Sequence, residues 1–214
     1  MAESRPTIHL PRRRLLTGAA ALAAFAALPA PARALVPTPR QTAGPFYPTE
    51  LPAEHDWDLV RVTGRAAQAM GQVTHLSGRV LAADGTPLAG ALVEAWQCDA
   101  NGIYHHPADR EQGRDGNFQG YGRTRTDADG RYRFRTIRPV AYSGRTPHVH
   151  FAVAAPGRSR LVTQMYVEGD PGNPRDFIFS RLSPEQRAAV AVRLEPADGI
   201  ETGALAGRFD IILA

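Results

Sequence analysis

The chain has 214 residues, 43% hydrophobic and 21% charged, a composition ordinary for a globular domain that gives no support to a disordered chain or a membrane-spanning body. All 25 basic residues are arginine and the single cysteine is Cys98, which excludes a lysine Schiff base, a lysine phosphate ligand, an intrachain disulfide and any multi-cysteine zinc or iron–sulfur site. The formal charge of +4 belongs to the first residues: 1–34 hold five arginines and one glutamate, and taking these from the totals of 25 and 21 leaves 20 of each, so the electrostatic case for a nucleic-acid partner disappears.

In chain order, residues 1–34 read as an export signal: Arg12, Arg13 and Arg14, an apolar run from Leu15 to Leu28, and the small-residue cleavage pattern Ala32-Arg33-Ala34. The run is too short to cross a bilayer and is followed by Pro29 and Pro31. "RRRLL" fits the twin-arginine pattern; an arginine-rich general secretory signal is the alternative. Either route implies a periplasmic or extracellular protein with no membrane attachment once the signal is removed.

Residues 35–75, Pro-rich and polar, are expected to form an extended N-terminal arm with one short strand over Leu59 to Val62. From residue 76 to 214 strand signals follow one another. "THLSGRVLA" alternates, "DGTP" turns, and "AGALVEAWQC" alternates again, with Leu92, Glu94 and Trp96 on one face and Val93, Ala95 and Gln97 on the other. Cys98 is read as a strand residue. "RTRTDADGRYRFRTI" reads as two strands around an Asp-Gly hairpin turn; the calcium-loop reading of "DADG" fails for want of spaced ligands and a distal glutamate. "HVHFAVAA", "RLVTQMYVEG" and "GRFDIILA" complete the strands. Only "SPEQRAAVAVRL" is helical, with Ser183 as N-cap and Pro184 at the first helical position, and its tail is equally compatible with a strand. The expectation is an all-β fold, an antiparallel, prealbumin-like β-sandwich with long loops.

The stretch "PVAYSGRTPHVHFAV", Pro139 to Val153, holds the densest chemistry. Residues two apart on a strand share a face, so His148 and His150 point the same way. Paired imidazoles suit a metal, although the same pair also occurs on exposed strands. Tyr142 lies on the loop that leads into this strand, and Tyr104 in "DANGIYHHP" lies on an irregular segment after a strong strand, where functional side chains are commonly displayed. Phenolate oxygens suit a trivalent iron, which repays the loss of the phenolic proton.

"VEAWQCDANGIYHH", "NFQGYGRTRTDADGRYRFRTIRPVAY", "RTPHVHF" and "TQMYVEGDP", in this order and spacing, resemble the intradiol ring-cleavage dioxygenases, and protocatechuate 3,4-dioxygenase subunits among them; "QTAGPFYP" is similar to their amino-terminal segment. The resemblance runs from Gln41 to the C-terminus. It implies a non-haem Fe(III) centre with Tyr104, Tyr142, His148 and His150 as ligands, O2 and a catecholic small molecule as substrates, and a cis,cis-muconate-type dicarboxylate as product. It implies that Tyr142 also acts in catalysis by yielding its place to the catechol, that Arg145 stabilises charge developing on the ring, and that Gln164 lines the pocket as a supporting residue. His105 and His106 are read as loop or pocket-wall residues, and Tyr121, Tyr132 and Tyr166 as scaffold aromatics.

The chain departs from that pattern in three respects. Gly144 stands in the pocket wall where the protocatechuate enzymes carry an aromatic residue, the loop from Tyr142 to His148 is shorter, and the long helical dimerisation region of the catechol 1,2-dioxygenases is absent. The substituent on the ring and the choice between homo- and hetero-oligomer are left open. Two other functions compete with the dioxygenase: a non-catalytic prealbumin-like binding module of the cell envelope, and a copper or zinc hydrolase built on HxH, which lacks a convincing acid or base partner.

Overall fold

Alternation along the strands sorts side chains into an inner set, which packs two sheets together, and an outer set, which includes His148 and His150. In the computed structural model, which describes Met1 and residues 35–214, the expected export signal lies outside the described residues. The first sheet is built around β1 (Val73–Ala82). β1 pairs with β4 (Arg131–Ile137) on one side and, on the other, with β9 (Leu205–Arg208) and β10 (Ile211–Leu213); β8 (Glu195–Pro196) extends the β9 edge. The second sheet runs β3 (Tyr121–Arg125), β2 (Leu92–Trp96), β5 (His148–Ala154), β6 (Leu161–Val167), β7 (Ala191–Val192).

Leu76, Val80, Tyr132 and Phe134 from the first sheet meet Val93, Val149, Phe151, Val153 and Met165 from the second in one buried core. Phe151 is its hub, with ring centroids of Phe209, Phe134 and Tyr132 at 5.2, 6.1 and 6.1 Å. The two expected faces of β2 hold: Val93 and Ala95 enter this core, while Trp96 joins a second cluster with Tyr104 and Tyr121 on the outer side. The helix α1 (Pro184–Val190) starts as expected at Ser183, whose hydroxyl accepts from the Gln186 N–H while the Gln186 side chain accepts from the Ser183 N–H. Its tail becomes β7.

Four expectations need correction. The sandwich is mixed, not antiparallel, because β9 and β10 run parallel to β1 and β7 runs parallel to β6; these strands arrive by longer connections, which, unlike a two-residue hairpin, permit parallel pairing. The turn Asp127 to Gly130 is not a hairpin: β3 pairs with β2 and β4 with β1, so the turn carries the chain from one sheet to the other. Leu59 to Val62 makes no strand; the arm touches the sheet there through an isolated bridge from Asp58 to Arg135. Cys98 lies just beyond β2, buried, with burial pushing its thiol up to about 12.

The arm follows the body closely. The Gln41 N–H donates to the Val162 carbonyl at 2.8 Å, the Thr38 N–H to the Ile212 carbonyl at 3.0 Å, and the Thr163 hydroxyl to the Pro39 carbonyl at 2.8 Å. Thus residues 38 to 41 lie along β6 and β10 with their polar groups paired, as burial requires.

Gly78 marks the tightest backbone crossing: a Cβ there would stand 1.9 Å from the Phe209 carbonyl oxygen and 2.6 Å from its carbon. Because the obstacle is main chain, Gly78→Ala is expected to cost about 1–3 kcal/mol of stability by overpacking. At Gly199, where an added Cβ meets nothing within 4 Å, alanine should stay within about 0.5 kcal/mol. Urea unfolding of the two variants against the parent checks the difference.

Candidate metal centre

Register aligns the outer face of the second sheet into a row. Trp96 pairs with Tyr121 on β3 and with His150 on β5, and His150 pairs with Gln164 on β6. His148 lies opposite Tyr166 in the same ladder. Both histidines are buried, at 1% and 2% exposure, and their Nε2 atoms face each other at 3.2 Å. Burial pushes the His148 imidazole down to about 4, reinforced by the Arg145 charge, and burial followed by His148 and Arg145 holds His150 well below the ordinary histidine range. Both rings are therefore neutral. The Thr146 carbonyl lies 2.7 Å from His148 Nδ1, so the proton sits on Nδ1 and the Nε2 lone pair is left toward His150. The Trp96 indole stacks on the His150 ring at 4.9 Å and 8°.

Tyr104 is delivered by a loop that carboxylates hold from inside. Asp99, fully buried, accepts from the N–H groups of Asn101, Ile103 and Asp115, and Asp109 accepts from the Tyr104 N–H at 2.8 Å. The Tyr104 ring is 2% exposed, stacks on Phe46 of the arm at 4.7 Å, and meets the rings of Tyr142 and His150 at 5.0 and 6.3 Å. Tyr142 is half-buried, 5.5 Å from His148 between ring centroids. It opens a two-residue turn in which Tyr142 and Arg145 exchange backbone hydrogen bonds while Ser143 and Gly144 adopt φ of 41° and 76°. Positive φ at both central positions is the signature of a primed hairpin turn and accounts for the glycine at 144. A Cβ on Gly144 would meet nothing within 4 Å, so the turn leaves open space there.

The structure therefore brings Tyr104, Tyr142, His148 and His150 together. Among the described residues, no group of three or more histidines, cysteines, aspartates or glutamates could hold a metal, so a metal bound by this pair of imidazoles must draw on other donors. The Tyr104 hydroxyl is buried without a hydrogen-bond partner, and burial, followed by the nearness of Tyr142, raises its pKa well above the phenol range. A sealed, unpaired phenol beside two neutral imidazoles is unfavourable as it stands. A cation accepting the phenolate oxygen and the imidazole nitrogens relieves it, so the donor set fits a hard trivalent metal.

Arg145 is not a free cation. Its Nε donates to Asp176 at 2.7 Å and its terminal nitrogen donates to Gln164 Oε1 at 2.6 Å. Burial pushes the Asp176 carboxyl up, but the Arg145 bond and the N–H groups of Phe179 and Thr146 outweigh it and hold the pKa below the usual range. Gln164 is fully buried and donates to the Thr42 carbonyl at 3.0 Å. It thus supports Arg145 from behind. His106 packs edge-on against Phe46, whereas His105 packs against Phe118 and lines a separate cavity of about 460 Å³ with Arg65 and Arg114. Of the scaffold tyrosines, Tyr121 donates to Glu94 at 2.6 Å and Tyr132 to the Phe209 carbonyl, while Tyr166 lies within reach of Gln164. Sequence reasoning missed Asp176, whose loop "GNPRDF" carries no signal of its own, and gave no roles to Gln41, Phe46 or Trp96, although the quoted stretches contained them.

Comparison with known proteins follows the same residues. A family model described as "Dioxygenase" matches residues 42–214. The protocatechuate 3,4-dioxygenase beta chain of Burkholderia cepacia is 37% identical over 195 residues, covering 86% of this chain and 83% of that one. Catechol 1,2-dioxygenase 2 of Acinetobacter lwoffii is 37% identical over 161 residues, but the match spans only 56% of its length against 67% of this chain. Among solved structures, the dioxygenase domain of a dioxygenase carbohydrate-binding protein fusion from Streptomyces sp. SirexAA-E superposes with a TM-score of 0.66 at 32% identity, covering 83% of this chain and 98% of that one.

The Arg145–Asp176 pair is buried on both sides, at 9% and 0% side-chain exposure. Replacing Asp176 by Asn is expected to cost about 3–5 kcal/mol at neutral pH, because it strands the guanidinium. The folded Asp176 pKa lies below its unfolded value, so its contribution is fully present above about pH 4 and is lost as pH falls through the folded value. Urea unfolding at pH 7 and at successively lower pH should show the gap between wild type and Asp176→Asn closing on acidification.

Proposed function

This chain belongs to the intradiol ring-cleaving dioxygenase family, and from that membership we propose that it is a non-haem Fe(III) enzyme that opens a catecholic ring with O2 to give a cis,cis-muconate-type dicarboxylate. The observation that carries the reading is the buried convergence of Tyr104, Tyr142, His148 and His150, with an unpaired phenol and two neutral imidazoles. A non-catalytic module has no use for that arrangement, and the relatives of this chain are named as ring-cleaving enzymes.

These four residues would hold the iron, which when bound supplies the Lewis acidity that keeps a catechol as its dianion and the redox partner that opens the ring to O2. The remaining work falls to the chain. Tyr104, sealed by Phe46, is the permanent phenolate. Tyr142, half-buried on its turn, is the donor able to move: its Oη, a phenolate while the metal is held, would take a catechol hydroxyl proton as the substrate enters and leave as the neutral phenol. Arg145, fixed by Asp176 and Gln164, presents a permanent cation that needs no reorganisation as charge develops on the ring. The stacked aromatics Phe46 and Trp96 exclude water from the donors.

Gly144 is taken as part of the pocket wall, where the turn leaves open space, so protocatechuate itself is not assumed as substrate. The prealbumin-like description of the sandwich, division into a 1–34 signal, a 35–75 arm and a 76–214 catalytic body, export by a twin-arginine-type signal, and assembly as a homo- or hetero-oligomer complete the proposal.

Iron-loaded protein is expected to be burgundy, with a tyrosinate-to-iron band that shifts on adding catechols, and to consume O2 with release of a ring-opened diacid. A colourless protein holding stoichiometric zinc, or one without O2 uptake on any of a panel of catechols, would overturn the reading. Tyr104→Phe should bleach the band and weaken iron retention; unchanged colour would mean that Tyr104 is not a ligand.

A further inference from the structure

The contacts behind Arg145 contain one hydroxyl with too many acceptors. Tyr166 Oη stands 2.7 Å from Gln41 Oε1 and 3.0 Å from Gln164 Oε1. A phenol carries a single proton and both oxygens are acceptors. Gln164 Oε1 already accepts from Arg145 at 2.6 Å, and its orientation is fixed because its Nε2 donates to the Thr42 carbonyl. Gln41 is fixed likewise: its Nε2 faces the Gln164 carbonyl and Thr163 Oγ1, each at 3.3 Å. Tyr166, Gln41, Gln164, Thr163 and Arg145 are buried, Tyr166 and Gln164 completely, so the proton is directed to one of these two oxygens.

We propose that Gln41, on the arm, is a positioning residue for the active-site arginine: its Oε1 accepts the hydrogen bond of the Tyr166 hydroxyl, and Gln164 Oε1 is thereby left to Arg145. Without the Gln41 side-chain carbonyl, the Tyr166 hydroxyl rotates onto Gln164 Oε1, and a second donor on that oxygen weakens its bond to the guanidinium. The arm then does more than cover the site. It decides which of two donors the Gln164 carbonyl serves, and Tyr166, otherwise a scaffold aromatic, becomes harmful when the arm's acceptor is missing. The inference concerns the residues behind Arg145 and rests on the dioxygenase reading only for its kinetic consequence.

The test is a rescue. Gln41→Leu keeps the side-chain volume and removes the acceptor; in the iron-loaded enzyme it is expected to lower kcat roughly tenfold, with the KM for catechol and the tyrosinate-to-iron band little changed. Adding Tyr166→Phe removes the competing hydroxyl and should bring kcat back to within about twofold of Tyr166→Phe alone, a coupling that simple loosening of the arm does not produce. A double variant as impaired as Gln41→Leu, or more so, overturns the proposal. Crystal structures of the single variant give the readout that does not depend on turnover. Tyr166 Oη should move onto Gln164 Oε1 and the Arg145–Gln164 contact should lengthen, whereas an unchanged Arg145–Gln164 contact refutes the role of Gln41. Gln41→Met serves the same comparison if the leucine variant does not fold. Wild-type protein without O2 uptake would remove the dioxygenase reading, and the crystallographic comparison would still decide the role of Gln41.

Discussion

Two imidazole nitrogens 3.2 Å apart on one face of β5 cannot both carry a proton, and much of the architecture around them favours neutral rings. Burial keeps them neutral: a second imidazole and a guanidinium nearby would already make a charge costly, and removal from water raises that cost further. The face that carries them is the outer face of a sheet whose inner face is occupied by Phe151 and its neighbours. An outer face normally meets solvent. Here something had to cover it.

The cover is the arm together with the Tyr104 loop. Phe46 lies on Tyr104, Gly44 stands with its would-be Cβ 3.5 Å from His150, and Tyr47 sets its edge on Trp96 while its hydroxyl donates to the buried Glu94. Glu94 also accepts from Tyr121 and from Arg160 at 2.8 Å, so the arm is tied down by a charge-assisted cluster on the same face as Trp96 and His150. A segment without regular secondary structure is thereby held by side chains in addition to the backbone bonds of residues 38 to 41 to β6 and β10.

Charge is handled by the same economy. Arg145 is the cation nearest the donors, and it is bound to Asp176 so that its charge is balanced while its direction is fixed. An unpaired guanidinium at this burial would be costly and would further repress the histidines. The paired one is held in one orientation by Asp176 and Gln164. Asp176 itself sits where a short 3-10 turn, Asn173–Arg175, ends, and it is held by the N–H groups of Thr146, Ile178 and Phe179.

Local rules in the sequence were enough to place His148 and His150 on a common face, to sort Leu92, Glu94 and Trp96 of β2 onto one face and Val93 and Ala95 onto the other, and to start the helix at Ser183, since each depends only on periodicity or on a cap a few residues long. The family resemblance extended this to Tyr104 and Tyr142 as members of one site. The partner of each strand was beyond such rules: "RTRTDADGRYRF" carries the signs of a hairpin, yet its two arms join different sheets, because pairing is decided by which distant strand offers the matching inner face. The same holds for the contacts that aim Arg145. Asp176 is 31 residues from it, and Gln41 is 123 residues from the Gln164 backbone it holds. What the sequence determined by itself is the face each donor occupies. What only the tertiary structure decided is which remote side chains close over that face and fix its hydrogen bonds, because those contacts join positions whose separation along the chain leaves no periodic trace.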